Sequence, residues 1–555
     1  MAEILKKHRL TFTLLLFLVM SIVSLYITDI NNGHIWSYLD IETDGLFHIL
    51  RIQGLYEALK HGTIFPAVNM SFMNGLGYIV NLFYSDLWLY PAAILRFFFK
   101  TAPAFVIYYV FLNFCTFVSS FFTYKYASKD YAKSLLFSFV YTLSTYRIFD
   151  MVRRFDLGEV LTLTFLPIVV LGVYEVFYAD ESKWLLLTIG MVMVIYSHSL
   201  SPILIGIFIV LVMLFRLKTL IQQPKRIIKL VYSGLMALLL SAAYFLPMFE
   251  QLHHTQFKLT QPTVDVANRS LPVLQVFKFS WHNYLHQQNI GLILILVAIL
   301  IPITLVKVKS AAIRDFAIIG EILLLMTTKL FPWSFFEKTP LKIIQFPWRL
   351  DMLITILFAI YLVSAPLNFL KQDWQKIILG VVVVLLMFNS QLALIRNFPN
   401  QYDSYASFDH LDSYSIGSGE EYLPKDANLQ QLRRTSRKPI LVGVGTVNHF
   451  KKQGTKLTFD FQGTKNTKII LPIIGYYGYS TKDSLGKVST LTMRKNGLAQ
   501  IRVSGHGKAI VDYYPTIVQQ ASRVISIFSL FGLCFDLSYK KIMKKRVFFS
   551  GKKIL

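Results

Sequence analysis

Two aspartates, a histidine and an arginine lie close together in the segment DIETDGLFHILRIQG: Asp40, Asp44, His48 and Arg51. On a helix, steps of four, four and three residues put all four side chains on one face. A carboxylate there can take a proton from an attacking hydroxyl, or hold a divalent cation against a phosphate leaving group. The imidazole would orient or hydrogen-bond the reacting groups, and the guanidinium would bind an anion. The same spacing also suits the solvated face of an interfacial helix.

Further along, YRIFDMVRRFDLGEV carries Arg147, Asp150, Arg153, Arg154, Asp156 and Glu159 between two apolar runs. Adjacent arginines such as Arg153 and Arg154 can fork onto a phosphate or reach toward lipid headgroups. His198 in YSHSLSP is either a ligand-binding group or a hydrogen-bonded structural histidine. Arg349 in QFPWRLDM opens an apolar run, where a charge needs a carboxylate or lipid phosphate as partner. Glu321 lies inside an apolar run and marks either a buried hydrogen bond or the ion site of a transporter. His253, His254, His282 and His286 share one loop, but no cysteine or paired carboxylate completes a zinc set. Asn268-Arg269-Ser270 fits a glycosylation sequon, meaningful only in a eukaryotic secretory setting.

These groups must be held by apolar helices. Of 555 residues 54% are hydrophobic and 16% charged, where a soluble protein carries roughly a quarter charged residues. A single soluble globule, a coiled coil and a disordered regulator are excluded. So is a disulfide scaffold, because Cys115 and Cys534 both lie in apolar runs. The apolar stretches predict twelve membrane spans at 10–29, 103–123, 134–146, 161–178, 184–199, 202–216, 230–247, 290–306, 316–331, 350–369, 377–394 and 520–538. Segment 84–99, with Asp86, Pro91 and Arg96, is read as re-entrant or interfacial. The net charge of +25 gathers in short links between spans and in the tail KKIMKKRVFFSGKK. That is the distribution of cytoplasmic loops, and it argues against nucleic acid as a partner. Both termini are then cytoplasmic, and the unusual polar residues fall on the outer side, including the first outer loop 30–102.

Residues 395–519 form the one long polar stretch. KLTFDFQ, KIILPIIGYYGYS, LAQIRVSG and KAIVDYYPT alternate as strands do, with glycine breaks. The expected organisation is an all-α polytopic membrane bundle over 1–394, a small extracytoplasmic β-rich domain over 395–519, and a last span with a basic tail over 520–555. The β-rich part reads as a cover or acceptor-binding module. In the first loop Gly62, Pro66, Gly75 and Gly77 permit tight turns, and Tyr84, Trp88 and Tyr90 suit a headgroup-level belt or sugar stacking.

Taken in order, Asp44-x3-His48-x2-Arg51, Gly62-x3-Pro66, Gly75-x-Gly77, Tyr84-x5-Tyr90-Pro91, His198 in SHSL and Arg349 in FPWR resemble a group of bacterial membrane proteins. These are labelled "6-pyruvoyl-tetrahydropterin synthase-related" and are relatives of the YfhO-like proteins. The resemblance covers roughly residues 10–370, and the EEYLP stretch with its β-rich tail also looks similar. Nothing in the chain resembles the soluble pterin enzyme itself. The group in turn resembles glycosyltransferases of the GT-C type. That resemblance implies a polyprenyl-phosphate sugar donor and an essential acidic residue in the first outer loop, here Asp44 and then Asp40. The Asp-x-Asp pair of that class is absent, which leaves the need for a divalent cation open.

The resulting expectation is a lipid-linked sugar transferase of a bacterial cytoplasmic membrane. Asp44 would be the general base, with Asp40 and His48 beside it, and Arg51, Arg153, Arg154, His198 and Arg349 would bind substrate. Its partners would be the lipid-linked sugar, a cell-wall or surface-polymer acceptor and membrane lipids. Two rivals stay open. One is a transporter or flippase centred on Glu321; the other is a non-catalytic assembly protein that presents the β-rich domain.

Overall fold

The structure is a computed structural model, and it describes residues 8–25, 27–29, 34–36, 44–260, 265–364, 368–397, 411–417, 419–483 and 489–551. Asp40 lies outside the described residues. Among the described residues five helices are long and apolar enough to cross a membrane: Thr101–Ser128, Leu157–Tyr178, Pro347–Ser364, Asp373–Leu394 and Ile517–Ser538. A sixth crossing arises if the pair Pro224–Leu240 and Ala242–His254, bent by 71°, counts as one. Arg9–Val23, Ser201–Phe215 and Gly291–Lys307 are shorter apolar helices. Segment 84–99 contains only short helical pieces, Leu87–Leu89 and Tyr90–Leu95.

The chain divides into two compact units. The first comprises Met1–Phe65, Asp86–Leu230 and Gln261–Glu421. It holds a small antiparallel hairpin, β1 (Ile27–Asp29) with β2 (His34–Trp36), and otherwise helices. Two glycines let the hairpin of Leu157–Tyr178 and Leu185–Ile195 close up. A Cβ on Gly172 would stand 2.3 Å from the Leu187 backbone nitrogen, and one on Gly190 would stand 2.8 Å from that of Val169. Pro167 cannot hydrogen-bond back to the Leu163 carbonyl, and the Tyr141 hydroxyl donates to that oxygen instead at 2.5 Å. Across from it, Thr116 and Thr164 share a hydrogen bond of 2.8 Å. Phe17 stacks on Phe117 at 5.0 Å.

The helix Leu46–Lys60 is not the surface helix that the spacing predicts. It buries His48, Ile49, Leu50, Arg51, Ile52, Gly54 and Leu55, so polar and apolar faces alike are covered. Asp44 stands before its first turn.

The second unit comprises Pro66–Ser85, Val231–Thr260 and Tyr422–Leu555. Its sheet is built from β3 (Ile440–Val442), β4 (Gly445–Gln453), β5 (Lys456–Ile474), β6 (Tyr479–Asp483), β7 (Thr492–Met493) and β8 (Leu498–Tyr513). The strand order is β3-β5-β8-β6, with β4 also on β5 and β7 on β8, all pairs antiparallel. Leu457, Phe459 and Phe461 alternate inward along β5, and Ile469 faces Ile501 across the ladder. KLTFDFQ and KIILPII thus belong to one strand, interrupted by an irregularity between Gly463 and Thr467. The segment Pro66–Ser85 packs in this unit. Phe72, Met73, Leu76 and Tyr78 are fully buried, and the Tyr78 hydroxyl accepts the Tyr422 backbone N–H at 3.0 Å. Gly77 takes a φ of +88° there, and a Cβ would meet Val68 at 2.8 Å.

Candidate functional site

The helix Leu157–Tyr178 begins with a cap written into the sequence as Asp156-x-x-Glu159. Asp156 Oδ1 accepts the backbone N–H groups of Gly158 at 2.9 Å and Glu159 at 3.1 Å, and both carboxylates lie where the helix dipole favours negative charge. Just before it, Asp150–Arg154 form a π-helical turn, and Phe155 follows with a left-handed φ of +60°. The Phe155 ring packs against Phe105 and Tyr109, each 5.0 Å away and nearly parallel, and those two rings also touch each other at 4.6 Å. That aromatic cluster holds the left-handed residue that follows Arg154.

Arg154 is the hub. Its guanidinium lies 2.8 Å from Asp156 Oδ2, 2.8 Å from Glu159 Oε1, 3.3 Å from Asp150 Oδ1 and 3.6 Å from Asp44 Oδ2. The Trp348 ring covers it at 4.6 Å. Arg349, on the turn Pro347–Leu350, reaches Glu159 Oε1 at 3.2 Å and donates to Gln345 Oε1 at 2.8 Å. His198 sits between the helices Leu185–Ile195 and Ser201–Phe215, with Nδ1 2.7 Å from Ser201 Oγ. Its ring belongs to the same group of ligand atoms as Asp156 and Glu159.

On the other side, His48 Nε2 is 3.6 Å from Asp156 Oδ1. Arg51 bonds His48 Nδ1 at 3.2 Å and Asp86 at 3.2 Å. One connected set therefore joins Asp86, Arg51, His48, Asp156, Arg154, Glu159 and Arg349. Of the residues expected from the sequence, Asp44, His48, Arg51, Arg154, His198 and Arg349 come together. Arg153 is half-buried on the π-helical turn, and its charge bears on His286.

The carboxylates around Arg154 differ sharply in access. The side chains of Asp150, Glu159 and Asp156 are 0%, 1% and 6% exposed, whereas that of Asp44 is 46% exposed. Asp44 is thus enclosed by protein yet open on one side. Loss of solvent pushes its carboxyl up to about 6, against the pull of Arg154 and Arg349. Burial also lifts Asp86 to about 6 and holds Asp150 well above the usual carboxylate range. Asp156 goes the other way. Burial would raise it, but Arg154, His48 and His198 together hold it well below that range. Burial lowers His48, so the imidazole is neutral.

A metal would have to share this donor set. The ligand atoms of Asp156, Glu159 and His198 lie within 4.8 Å of one another. Their oxygens are already engaged: Arg154 holds one from each carboxylate, backbone N–H groups take Asp156 Oδ1, and the Tyr146 hydroxyl donates to Glu159 Oε2 at 2.7 Å. A divalent ion fits only if Arg154 leaves. The guanidinium fills the place where a metal would neutralise charge.

Asp86, Asp156 and Glu159 in that set, and Asp150 and Trp348 against Arg154, are residues that spacing in the first loop did not select. The D-x-x-E cap is the one signal that could have selected Asp156 and Glu159. The aromatic residues of the loop are anchored, Tyr84 by burial and the partly exposed Trp88 and Tyr90 by their polar ends. Tyr84 is buried, Trp88 Nε1 donates to the Met193 carbonyl at 3.1 Å, and the Tyr90 hydroxyl donates to the Ile64 carbonyl.

No protein-family model matches the chain, and no curated protein matches it either.

Proposed function

We propose that this chain is a membrane glycosyltransferase that moves a sugar from a polyprenyl-phosphate donor to a cell-envelope acceptor. In this reading it crosses a bacterial cytoplasmic membrane twelve times, with both termini inside and the Arg154 cluster at the outer face. The observation that carries it is Asp44. Among the described carboxylates on Arg154 it is the one a substrate can reach, and its carboxyl is poised near neutrality, as a general base requires.

The acceptor hydroxyl attacks the sugar carbon that bears the phosphate. A carbon–oxygen bond forms on one side and the bond to the phosphate oxygen breaks on the other, so configuration inverts. The lipid phosphate leaves with the electron pair, and Asp44 takes the hydroxyl proton. Arg154 and Arg349 face internal carboxylates, so they position Asp44 and the cap rather than grip the donor. In this reading the donor phosphate meets Arg153, on the same turn as Arg154. The test is sugar transfer from a polyprenyl-phosphate sugar to an envelope-polymer extract by the purified protein. Transfer lost in Asp44→Asn supports the reading, and transfer undiminished in that variant overturns it.

One observation favours a transporter instead. Glu321 Oε1 is buried in the helix Ala311–Met326 with no hydrogen-bond partner among the described residues. Substrate flux abolished by Glu321→Gln, with Asp44→Asn silent, would select that reading.

A further inference from the structure

The second unit contains an open cleft of about 1080 Å³ where the end of the helix Ala242–His254 meets β6, the β5–β6 connection and the start of the last helix. Tyr477 and Tyr514 line it, and both rings are partly open, at 40% and 36% exposure. His254 stacks on one face of Tyr477 with ring centroids 3.6 Å apart, which holds that ring. The Lys482 ammonium lies 4.6 Å above the Tyr514 ring. Hydrogen-bonding groups also line it, among them His253, Thr481 and Thr490. Glu250 is held by the Thr516 hydroxyl at 2.6 Å.

Charge decides what such a cleft takes. The chain has a net charge of +25, yet among the described residues lining the cleft Glu250 is the only one with a formal charge, histidines counted neutral. Among the described lining residues there is no lysine or arginine, and the Lys482 ammonium lies over the Tyr514 ring, so a phosphate or other anion beside Glu250 would meet a carboxylate. A neutral polyhydroxylated chain meets what it needs: ring faces for its C–H surfaces, and carboxylate, imidazole and hydroxyl groups for its O–H groups.

We infer that this cleft binds a neutral oligosaccharide segment, stacked on Tyr477 and Tyr514 and hydrogen-bonded through Glu250. The inference rests on the glycosyltransferase reading for its biological sense, since the segment would belong to the acceptor polymer.

The test uses the full chain in phosphatidylglycerol nanodiscs and saturation-transfer NMR with five probes. Four are the tetrasaccharides of α-glucose, β-glucose, β-mannose and β-N-acetylglucosamine; the fifth is glycerophosphoglycerol, a soluble lipid headgroup. Saturable binding of at least one tetrasaccharide is expected. Tyr477→Ala or Tyr514→Ala should weaken it by about tenfold or more, while Tyr477→Phe stays within about threefold, because the ring is what stacks. Both tyrosines are partly exposed, and an unchanged thermal midpoint shows that the fold is kept. Binding confined to glycerophosphoglycerol, no saturable tetrasaccharide binding, or binding indifferent to both alanine variants each overturns the inference. Asp44→Asn should leave binding intact. Binding without transfer would sink the enzyme reading alone; transfer without binding would sink the cleft alone.

Discussion

Arg51 Nη1 stands 3.2 Å from His48 Nδ1. A guanidinium only donates, so Nδ1 carries the lone pair and the ring hydrogen is on Nε2, toward Asp156 Oδ1 at 3.6 Å. His48 is 2% exposed, both its nitrogens are committed, and burial lowers its proton affinity. It orients the cap carboxylate and does not exchange protons with substrate.

That assignment fixes the pH profile of transfer. The base form of Asp44 grows as pH rises through about 6, so kcat/KM should climb about tenfold per unit below that pH and level above it. His48→Gln should lower the plateau and keep the limb, whereas Asp44→Asn should remove it. A limb that disappears in His48→Gln and persists in Asp44→Asn would reverse the two roles.

Asp44→Asn should reduce kcat by roughly 10²–10⁴-fold, the usual worth of a general base. Its effect on stability should be small. The side chain is 46% exposed and 3.6 Å from Arg154, and exposed pairs contribute about 0–1 kcal/mol. Thermal midpoints of wild type and variant in the same detergent check the second statement, and single-turnover transfer checks the first.

Spacing grouped Asp44, His48 and Arg51 but left their setting open. A polar stripe on a helix reads as a solvated face, yet Leu46–Lys60 also buries Ile49, Ile52 and Leu55. Periodicity cannot tell which side a neighbour will cover. Asp86 is thirty-five residues from its partner Arg51, and nothing local announces that pairing. In the β-rich part the inward alternation of Leu457, Phe459 and Phe461 was legible. The continuation into Lys468–Ile474 was not, because the irregularity after Gly463 shifts the register and a register shift reverses which residues face inward.

Gly172 tests the packing that supports the cap. A Cβ would stand 2.3 Å from one backbone atom of Leu187 and 2.4 Å from another, too close for a side chain to move aside. Gly172→Ala must therefore push the helices Leu157–Tyr178 and Leu185–Ile195 apart, at a cost of about 1–3 kcal/mol, typical of overpacking. Gly206→Ala, where nothing lies within 4 Å, is the control and should be neutral or slightly stabilising. Equal thermal midpoints for the two variants would refute the close contact.

Arg154 carries the sharpest expectation about metals. Its side chain is 12% exposed, and it neutralises Asp156 and Glu159, whose side chains are 6% and 1% exposed. Arg154→Gln removes the shared cation and should cost about 3–5 kcal/mol, as for other broken buried pairs. Arg154→Lys should recover only part of that, since a single ammonium nitrogen replaces the three guanidinium nitrogens that face Asp44, Asp150, Asp156 and Glu159. Because the guanidinium occupies the oxygens a metal would use, wild-type stability and transfer should not respond to chelator or to added Mg²⁺, Mn²⁺ or Ca²⁺. In Arg154→Gln the carboxylates of Asp156 and Glu159 lose that cation beside His198 while Arg349 still pairs with Glu159, and millimolar divalent cation should raise the thermal midpoint toward the wild-type value. A wild-type protein that loses activity in chelator and regains it with metal would show that Arg154 yields its place to an ion.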